Sequence, residues 1–279
     1  MASSAGLAPE AGARTAPPDL DGRILDVRSV SKSFSHGGAT TPVLDRVDLA
    51  LREGEFVSVI GPSGCGKSTL FNIIGGLDEA DTGDVLVGGI PVRGSHRDIG
   101  MVFQEESTFP WRTVMDNVAF PLECAGKPAA ERREVAQRFI DMVGLAGFER
   151  HYPRQLSGGM RQRTAIARTL AYGPRILLLD EPFAALDEQT RLLLGDKLQA
   201  ICAALNQTTL FVTHNISEAV LLSDRVVVMT FRPGRIKRTL EIELPRPRSS
   251  ALISSEAFSR YVGVIWEELR VEAAKGMQA

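Results

Sequence analysis

Long apolar runs are missing from this 279-residue chain, as is a basic start followed by an apolar core at its N-terminus. The longest purely apolar stretches, such as 176–179 and 226–229, are only as long as a strand. A helix that crosses a membrane needs ~18 apolar residues or more. The sequence therefore predicts no transmembrane span and no signal peptide.

Cysteine is scarce, and neither sign of charge prevails. The three cysteines form no CxxC pair, which argues against a disulfide framework or a structural zinc site and fits a reducing cytoplasm. The 32 basic and 34 acidic residues leave a formal net charge of −2. Because this balance gives no general attraction to polyanions, we expect no nucleic-acid partner.

The sequence does contain an alternation of two apolar periodicities. β-type patterns predict strands at 24–30, 43–51, 56–60, 99–103, 176–179 and 209–213. Helical spacing predicts helices at 69–74, 129–143, 158–172, 188–204 and 254–272. The alternation of strands with helices indicates an α/β fold.

The two ends of the chain differ from its middle. Residues 1–22 are rich in Ala, Pro, Gly and Ser and predict a disordered tail, while 35–42 predicts a hairpin loop. Residues 246–279 predict a C-terminal helical extension with Ser254 or Ser255 as N-cap. Its helix carries an apolar stripe expected to pack on the rest of the chain, formed by Phe258, Val262, Ile265 and Trp266.

The strongest motif runs from Gly61 to Ser68 and matches the phosphate-loop pattern GxxxxGK[ST]. It follows a predicted strand and precedes a predicted helix, as the motif requires. Its three glycines allow backbone N–H groups to turn towards an anion, and the helix N-terminus adds favourable partial charge. Lys67 would contact the β- and γ-phosphates, and the Ser68 hydroxyl would bind Mg²⁺. The segment predicts a site for nucleotide phosphates.

Cys65, inside this loop, leaves two interpretations open. It is a small side chain that fits a tight loop, or a thiol whose acidity the helix N-terminus increases. Cys124 and Cys202 are interpreted as packing residues.

Two carboxylates, Asp180 and Glu181, end the apolar strand predicted at 176–179. Ligands of α/β folds bind at this edge of the sheet. Asp180 would hold Mg²⁺, and Glu181 would act as general base on the attacking water. The alternative is that the pair caps the next helix.

A family resemblance rests on the segment from Leu156 to Arg163, which reads LSGGMRQR and begins about 23 residues before Asp180. It resembles the signature motif of ATP-binding-cassette (ABC) ATPases. The resemblance covers roughly residues 23–245 and extends to the adenine-stacking aromatic, the Q-loop glutamine, the D-loop aspartate and the switch histidine, which are Phe34, Gln104, Asp187 and His214. Taken singly, several of these residues have plainer interpretations. Phe34 would be a core aromatic, Gln104 a surface residue and His214 a polar side chain whose hydrogen bonds are satisfied. Gly158-Gly159 in the signature segment would be a simple turn.

The resemblance implies a P-loop NTPase ABC cassette with a RecA-like core, an antiparallel β subdomain and an α-helical signature subdomain at about 105–172. It implies catalytic roles for Lys67, Gln104, Glu181 and His214, and Mg²⁺ ligation by Ser68, Gln104 and Asp180. ATP would be contacted by Phe34, Gly61, Pro62, Ser63, Gly64, Cys65, Gly66, Lys67, Ser68, Thr69, Gln104, Ser157, Gly158, Gly159 and Asp187.

In this family two copies pair head to tail, and each ATP lies between the phosphate loop of one copy and the signature loop of the other. Ser157 and the Gly159 N–H would then act on the partner's γ-phosphate. Two positions depart from the family pattern: Met160 replaces the commoner glutamine, and Ala184 replaces a serine common before the D-loop.

Five strings resemble the nitrate, sulfonate and taurine importer subfamily: 61–66, 109–118, 156–163, 180–191 and 231–235. This implies import of a small anion, a separate membrane permease, an extracytoplasmic solute-binding protein and a place at the cytoplasmic face of the membrane. Phe109, Pro110 and Trp111 would form a groove for a permease helix, or Trp111 would pack internally. One alternative is a soluble non-transport ABC ATPase. The other is an unrelated P-loop kinase or GTPase, an interpretation that leaves the signature segment unexplained.

Overall fold

The computed structural model describes residues 22–105 and 107–278, so the predicted tail lies outside the described residues apart from Gly22. In this part of the chain the strands are, in order, β1 (Arg23–His36), β2 (Ala39–Arg52), β3 (Phe56–Ile60), β4 (Thr82–Val87), β5 (Ile90–Pro91), β6 (Ile99–Val102), β7 (Ile176–Asp180), β8 (Thr208–Thr213), β9 (Arg225–Met229) and β10 (Ile236–Glu241). The helices are α1 (Lys67–Ile74), α2 (Val114–Cys124), α3 (Ala129–Met142), α4 (Gly158–Ala171), α5 (Glu188–Leu205), α6 (Ile216–Leu222) and α7 (Glu256–Gln278).

The larger sheet has the order β10-β9-β3-β8-β7-β6. Its strands from β9 to β6 run parallel, and β10 pairs antiparallel at one edge. β3 and β7 are buried along their whole length, which is why they form nearly continuous apolar runs. The four strands predicted for this sheet are confirmed to within one residue. Since parallel strands end at one edge, the segments that follow β3, β7 and β8 come together there.

The smaller sheet is antiparallel, with the order β2-β1-β4-β5. The predicted loop at 35–42 is wrong in extent, because Ser35 pairs with Thr40 and the strands continue almost to the turn. Only Gly37 and Gly38 remain between β1 and β2, and both have positive φ, as a tight two-residue hairpin requires. β4 and β5 were not predicted, because this stretch is short and rich in glycine and acidic residues.

Helices α2, α3 and α4 pack together around a shared apolar core. The predicted helices at 129–143 and 158–172 are confirmed as α3 and α4. α2 was missed because Pro121 interrupts its pattern. Cys124 at the end of α2 is exposed, so its interpretation as a packing residue is wrong, whereas Cys202 in α5 is buried.

The C-terminal helix α7 packs against α6 and β9. Ser255 caps it as predicted, since its Oγ accepts a hydrogen bond from the Phe258 N–H at 3.2 Å. Phe258 and Ile265 are buried, but Trp266 is 56% exposed. The prediction that Trp266 packs on the rest of the chain is therefore wrong. No helix in the described residues is both long and apolar enough to cross a membrane. The division of the chain at residues 22 and 245 stays a prediction.

Candidate active site

The phosphate loop joins β3 to α1, which begins at Lys67, two residues before the predicted start. Gly66 has φ +99°, in the left-handed region, and a Cβ there would lie 2.7 Å from the Leu44 Cδ2. Gly64 has φ +74°. A Cβ at position 61 would lie 2.7 Å from the Sγ of Cys65. The loop shape therefore requires glycine at these positions.

Lys67 is buried inside this loop with 7% of its surface exposed. Its Nζ donates to the carbonyl oxygens of Gly61 at 2.8 Å and Pro62 at 3.1 Å. The ammonium group thus lies within the cradle that the backbone forms, where a polyphosphate would offer it stronger, charge-assisted hydrogen bonds.

Asp180 ends β7 beside the phosphate loop and is buried. Burial raises the pKa of Asp180, while the Ser68 hydroxyl and the Lys67 cation oppose this rise. Its buried Oδ1 has no hydrogen-bond partner in the described part of the chain. An orphaned carboxylate oxygen near a hydroxyl and a phosphate loop fits a ligand of a divalent cation.

Glu181 has φ +43°, a left-handed conformation that is costly for a residue with a side chain. Its Oε2 lies 3.0 Å from the Nδ1 of His214, which follows β8. The helix-cap alternative for this pair is wrong, because α5 begins at Glu188 and its N-cap is Asp187. The sheet edge thus brings together two carboxylates and the histidine that the sequence predicted separately.

Phe34 and Gln104 are both at the surface. Phe34 is 46% exposed, which excludes the core-aromatic alternative, and the Nζ of Lys32 lies 5.3 Å from its ring centroid. Gln104 follows β6 and is exposed, in agreement with either of its interpretations.

The signature segment opens α4. Ser157 is the N-cap, and its Oγ accepts a hydrogen bond from the Met160 N–H at 3.3 Å. The simple-turn alternative for Gly158-Gly159 is wrong, because α4 begins at Gly158. A Cβ at Gly159 would lie 3.3 Å from the Cγ2 of Thr190 in α5, so signature segment and D-loop region are neighbours. Met160, which departs from the family pattern, packs against the helical core.

The D-loop side chain Asp187 caps α5 by accepting a hydrogen bond from the Thr190 N–H at 2.9 Å. This backbone hydrogen bond holds the pKa of Asp187 below its usual value. The carboxylate is therefore engaged in the structure of its own chain.

Two residues that the sequence analysis missed connect the D-loop with the segment around His214. Glu218 accepts a hydrogen bond from the Thr213 hydroxyl at 2.5 Å and lies 3.4 Å from the Nε of Arg191. Arg191 also donates to the Leu186 carbonyl oxygen at 2.9 Å. Burial raises the pKa of Glu218, although the Thr213 hydrogen bond and the Arg191 charge act to lower it. Arg191 ends the string at 180–191 but had no role assigned, and Glu218 lies in no recognised motif, so only the tertiary contact reveals the pair.

Cys65 is fully buried under the phosphate loop. Burial raises the pKa of its thiol, although the Lys67 charge acts in the opposite direction. The acidified-thiol interpretation is therefore wrong, and the small packing side chain is what the structure shows.

With this geometry in place, comparison with known proteins decides the family. The model of the ABC transporter family matches residues 44–184. An uncharacterized ABC transporter ATP-binding protein of Methanocaldococcus jannaschii is 51% identical over 254 residues, which span 91% of this chain and 94% of that protein. The chain belongs to the ABC transporter family.

Two further similarities concern this ABC cassette. The aliphatic sulfonates import ATP-binding protein SsuB of Bacillus cereus is 44% identical over 234 residues, 84% of this chain and 91% of that protein. A solved dimeric ATP-binding cassette, in a post-hydrolysis state with ADP and Pi, has a TM-score of 0.71 and 35% identity, covering 79% of this chain and 100% of that one. The chain is an ABC-type ATPase, and the kinase and GTPase alternatives are excluded.

Proposed function

We propose that this ATPase drives the import of a small anion, with an aliphatic sulfonate as the favoured cargo, through a separate membrane permease. The observation that carries the proposal is the 44% identity to a sulfonate import ATP-binding protein over 84% of the chain. An extracytoplasmic solute-binding protein would deliver the cargo, and the cassette would work at the cytoplasmic face of the membrane.

In the proposed site, the loop from Gly61 to Thr69 surrounds the phosphates of ATP and Phe34 stacks on the adenine. The buried ammonium of Lys67 neutralises charge on the β- and γ-phosphates. Glu181 is the general base, and its 3.0 Å contact with His214 orients the carboxylate towards the attacking water. His214 and Gln104 would contact the γ-phosphate and the water.

The donor set also fits Mg²⁺, which would be held by Ser68, Gln104 and the orphaned Oδ1 of Asp180. No cluster of three or more His, Cys, Asp or Glu suited to a metal occurs in residues 22–105 and 107–278. A magnesium ion that takes most of its ligands from phosphate and water needs no such cluster. When bound, the ion neutralises charge that develops on the phosphates.

A second copy of the chain would complete the site. Similarity to dimeric cassettes supports this arrangement. The exposed Ser157 and the N–H groups at the start of α4 would face the partner's γ-phosphate. Because the Asp187 carboxylate is engaged in capping α5, the D-loop would approach the partner mainly through its backbone.

An aromatic surface after Gln104 supports the permease as partner. Trp111 is 71% exposed, so the internal-packing alternative is wrong. It lies beside Phe109, with ring centroids 5.7 Å apart. Asn117 in α2 holds Phe109 through both its backbone N–H and its carbonyl oxygen. An exposed Trp111 beside a rigidly held, half-buried Phe109 suits the docking of an apolar helix.

The test is transport in proteoliposomes that contain this chain, the permease encoded with it and its binding protein. We expect ATP-dependent uptake of labelled ethanesulfonate, none with Glu181→Gln, and reduced uptake with Trp111→Ala at unchanged basal ATP hydrolysis. Uptake of nitrate without uptake of ethanesulfonate or taurine, which both carry a sulfonate group, would overturn the proposed cargo. If the chain hydrolyses ATP but binds no permease, the alternative function, a soluble non-transport ATPase, would be established.

A further inference from the structure

The string at 231–235, which resembles the importer subfamily, forms a turn directly behind the phosphate loop; we call it the 231–235 turn. A Cβ at Gly234 would collide with the carbonyl oxygen of Cys65, so the two backbones are in direct contact. Arg232 donates from its Nε to the Gly64 carbonyl oxygen at 3.4 Å. The turn therefore forms part of the wall that supports the phosphate loop.

The turn is held tightly on the side of β2 and β9. Gly234 donates to the Val43 carbonyl oxygen at 2.8 Å and accepts from the Asp45 N–H at 3.0 Å. The Thr230 hydroxyl, at the end of β9, donates to the Pro233 carbonyl oxygen at 2.9 Å. A displacement of this turn would thus be passed to the phosphate loop, because packed backbones do not yield independently.

The other support of the turn comes from α7. Glu272, only 1% exposed, accepts a hydrogen bond from the Phe231 N–H at 3.0 Å through its Oε2. Its Oε1 contacts the Nζ atoms of Lys275 at 2.9 Å and Lys237 at 3.1 Å. Burial acts to raise the pKa of Glu272, but these donors outweigh it and keep the pKa lowered. The carboxylate is fully satisfied where it meets the turn.

A second contact between α7 and the turn lies one helical turn further on. A Cβ at Gly276 would lie 2.9 Å from the Cε2 of Phe231, so the aromatic ring rests on the helix backbone at this point. The absence of a side chain at 276 allows this approach. Glu272 and Gly276 together clamp Phe231.

We propose that Glu272 is a positioning residue for the ATPase: through the 231–235 turn it holds the phosphate loop in its binding shape, so that α7 contributes to ATP affinity. The inference rests on the proposed role of residues 61–68 in holding ATP. A loop whose N–H groups are already aligned loses less conformational freedom when it binds phosphate.

The experiment compares Glu272→Ala with Glu268→Ala in the full-length chain. Glu268 lies on the same helix and pairs with Lys237 and Arg238 but not with the turn, which makes it a matched control. We expect Glu272→Ala to weaken ATP binding about tenfold, which equals ~1.4 kcal/mol, with KM raised more than kcat is lowered. Glu268→Ala should stay within about twofold of wild type, as expected for a surface ion pair.

Two further measurements separate positioning from general stability. Glu272→Gln keeps an oxygen that can accept from the Phe231 N–H and should restore most of the affinity. Hydrogen exchange of the peptide that contains residues 61–68 should quicken in Glu272→Ala and not in Glu268→Ala. Should Glu272→Ala fail to fold, Gly276→Ala takes its place: weaker ATP binding supports the proposal, and wild-type binding overturns it.

Lys67→Ala, measured in parallel, distinguishes the two possible failures. If Lys67→Ala binds ATP as well as wild type, the proposed function of the phosphate loop fails. If Lys67→Ala loses binding while Glu272→Ala keeps wild-type affinity and exchange, the inference about α7 alone is overturned.

Discussion

The phosphate loop and the signature segment (156–163) both offer the N-terminus of a helix, but they use their cations differently. Lys67 donates to carbonyl oxygens of its own loop and stays within the cradle. Arg161 reaches back to the Leu156 carbonyl oxygen at 2.6 Å, and Arg163 contacts those of Val143 and Gly144. The signature segment therefore presents mainly a hydroxyl and N–H groups, which suits a role in closure rather than in ATP affinity.

The sharpest test of this difference removes the cation of the first region. We expect Lys67→Ala to weaken ATP binding and to lower hydrolysis by ~10²–10³-fold or more. Steady-state ATPase rates and titration with a fluorescent ATP analogue measure both effects. Lys127→Ala, an exposed lysine paired with Glu131, is the control and should behave as wild type. A hydrolysis rate within about twofold of wild type would exclude the phosphate loop as the site.

Glu181→Gln should separate the chemical step from binding at the same edge of the sheet. Glutamine keeps the shape of the side chain but accepts no proton, so hydrolysis should fall by ~10²-fold or more. Loss of a negative charge near the γ-phosphate should also favour the closed dimer. Light scattering with MgATP should then give about twice 30.2 kDa, and the monomer with ADP.

The control for this variant is Glu188→Gln, which changes an exposed carboxylate at the start of α5. It should hydrolyse ATP normally. A Glu181→Gln protein that hydrolyses at the wild-type rate would remove Glu181 from the role of general base.

Ser157→Arg addresses the second region. The bulky side chain would block a partner's nucleotide while leaving the chain's own phosphate loop intact. We expect loss of hydrolysis with ATP binding to the monomer unchanged. Ser157→Ala removes the helix cap, at a cost of ~1 kcal/mol, together with the hydroxyl proposed to face the partner's γ-phosphate. It leaves room for the partner's nucleotide and keeps the N–H groups of α4, so it should reduce hydrolysis less than Ser157→Arg. If Ser157→Arg weakens monomer binding as severely as Lys67→Ala, the signature segment acts within its own chain.

The smallest effect concerns Cys65, where the helix N-terminus fails to make a thiol reactive. Burial raises the pKa of Cys65, and it raises that of Cys202 to about 11, so both thiols stay protonated at neutral pH. We expect maleimide at pH 7 to label the exposed Cys124 first, as mass spectrometry would show. Faster labelling at Cys65 would restore the acidified-thiol interpretation.

The parts of the fold that the sequence predicted are those set by local pattern. The buried parallel strands and the phosphate loop each carry their signal within a few neighbouring residues. The contacts of Glu218 with Arg191 and of Glu272 with Phe231 join residues far apart in sequence, and no local pattern marks them. The same reason explains Trp266, whose spacing suits a packed face although no neighbour covers it fully.

The exposed Trp111 also has an optical consequence. The chain has two tryptophans, and both indoles are more than half exposed, Trp111 beside Phe109 and Trp266 on the outer face of α7. Native tryptophan fluorescence should therefore resemble that of indole in water, and a Trp266→Phe protein would carry a single tryptophan, on the proposed docking surface. A shift of its emission to shorter wavelength on addition of permease would report docking without any attached dye.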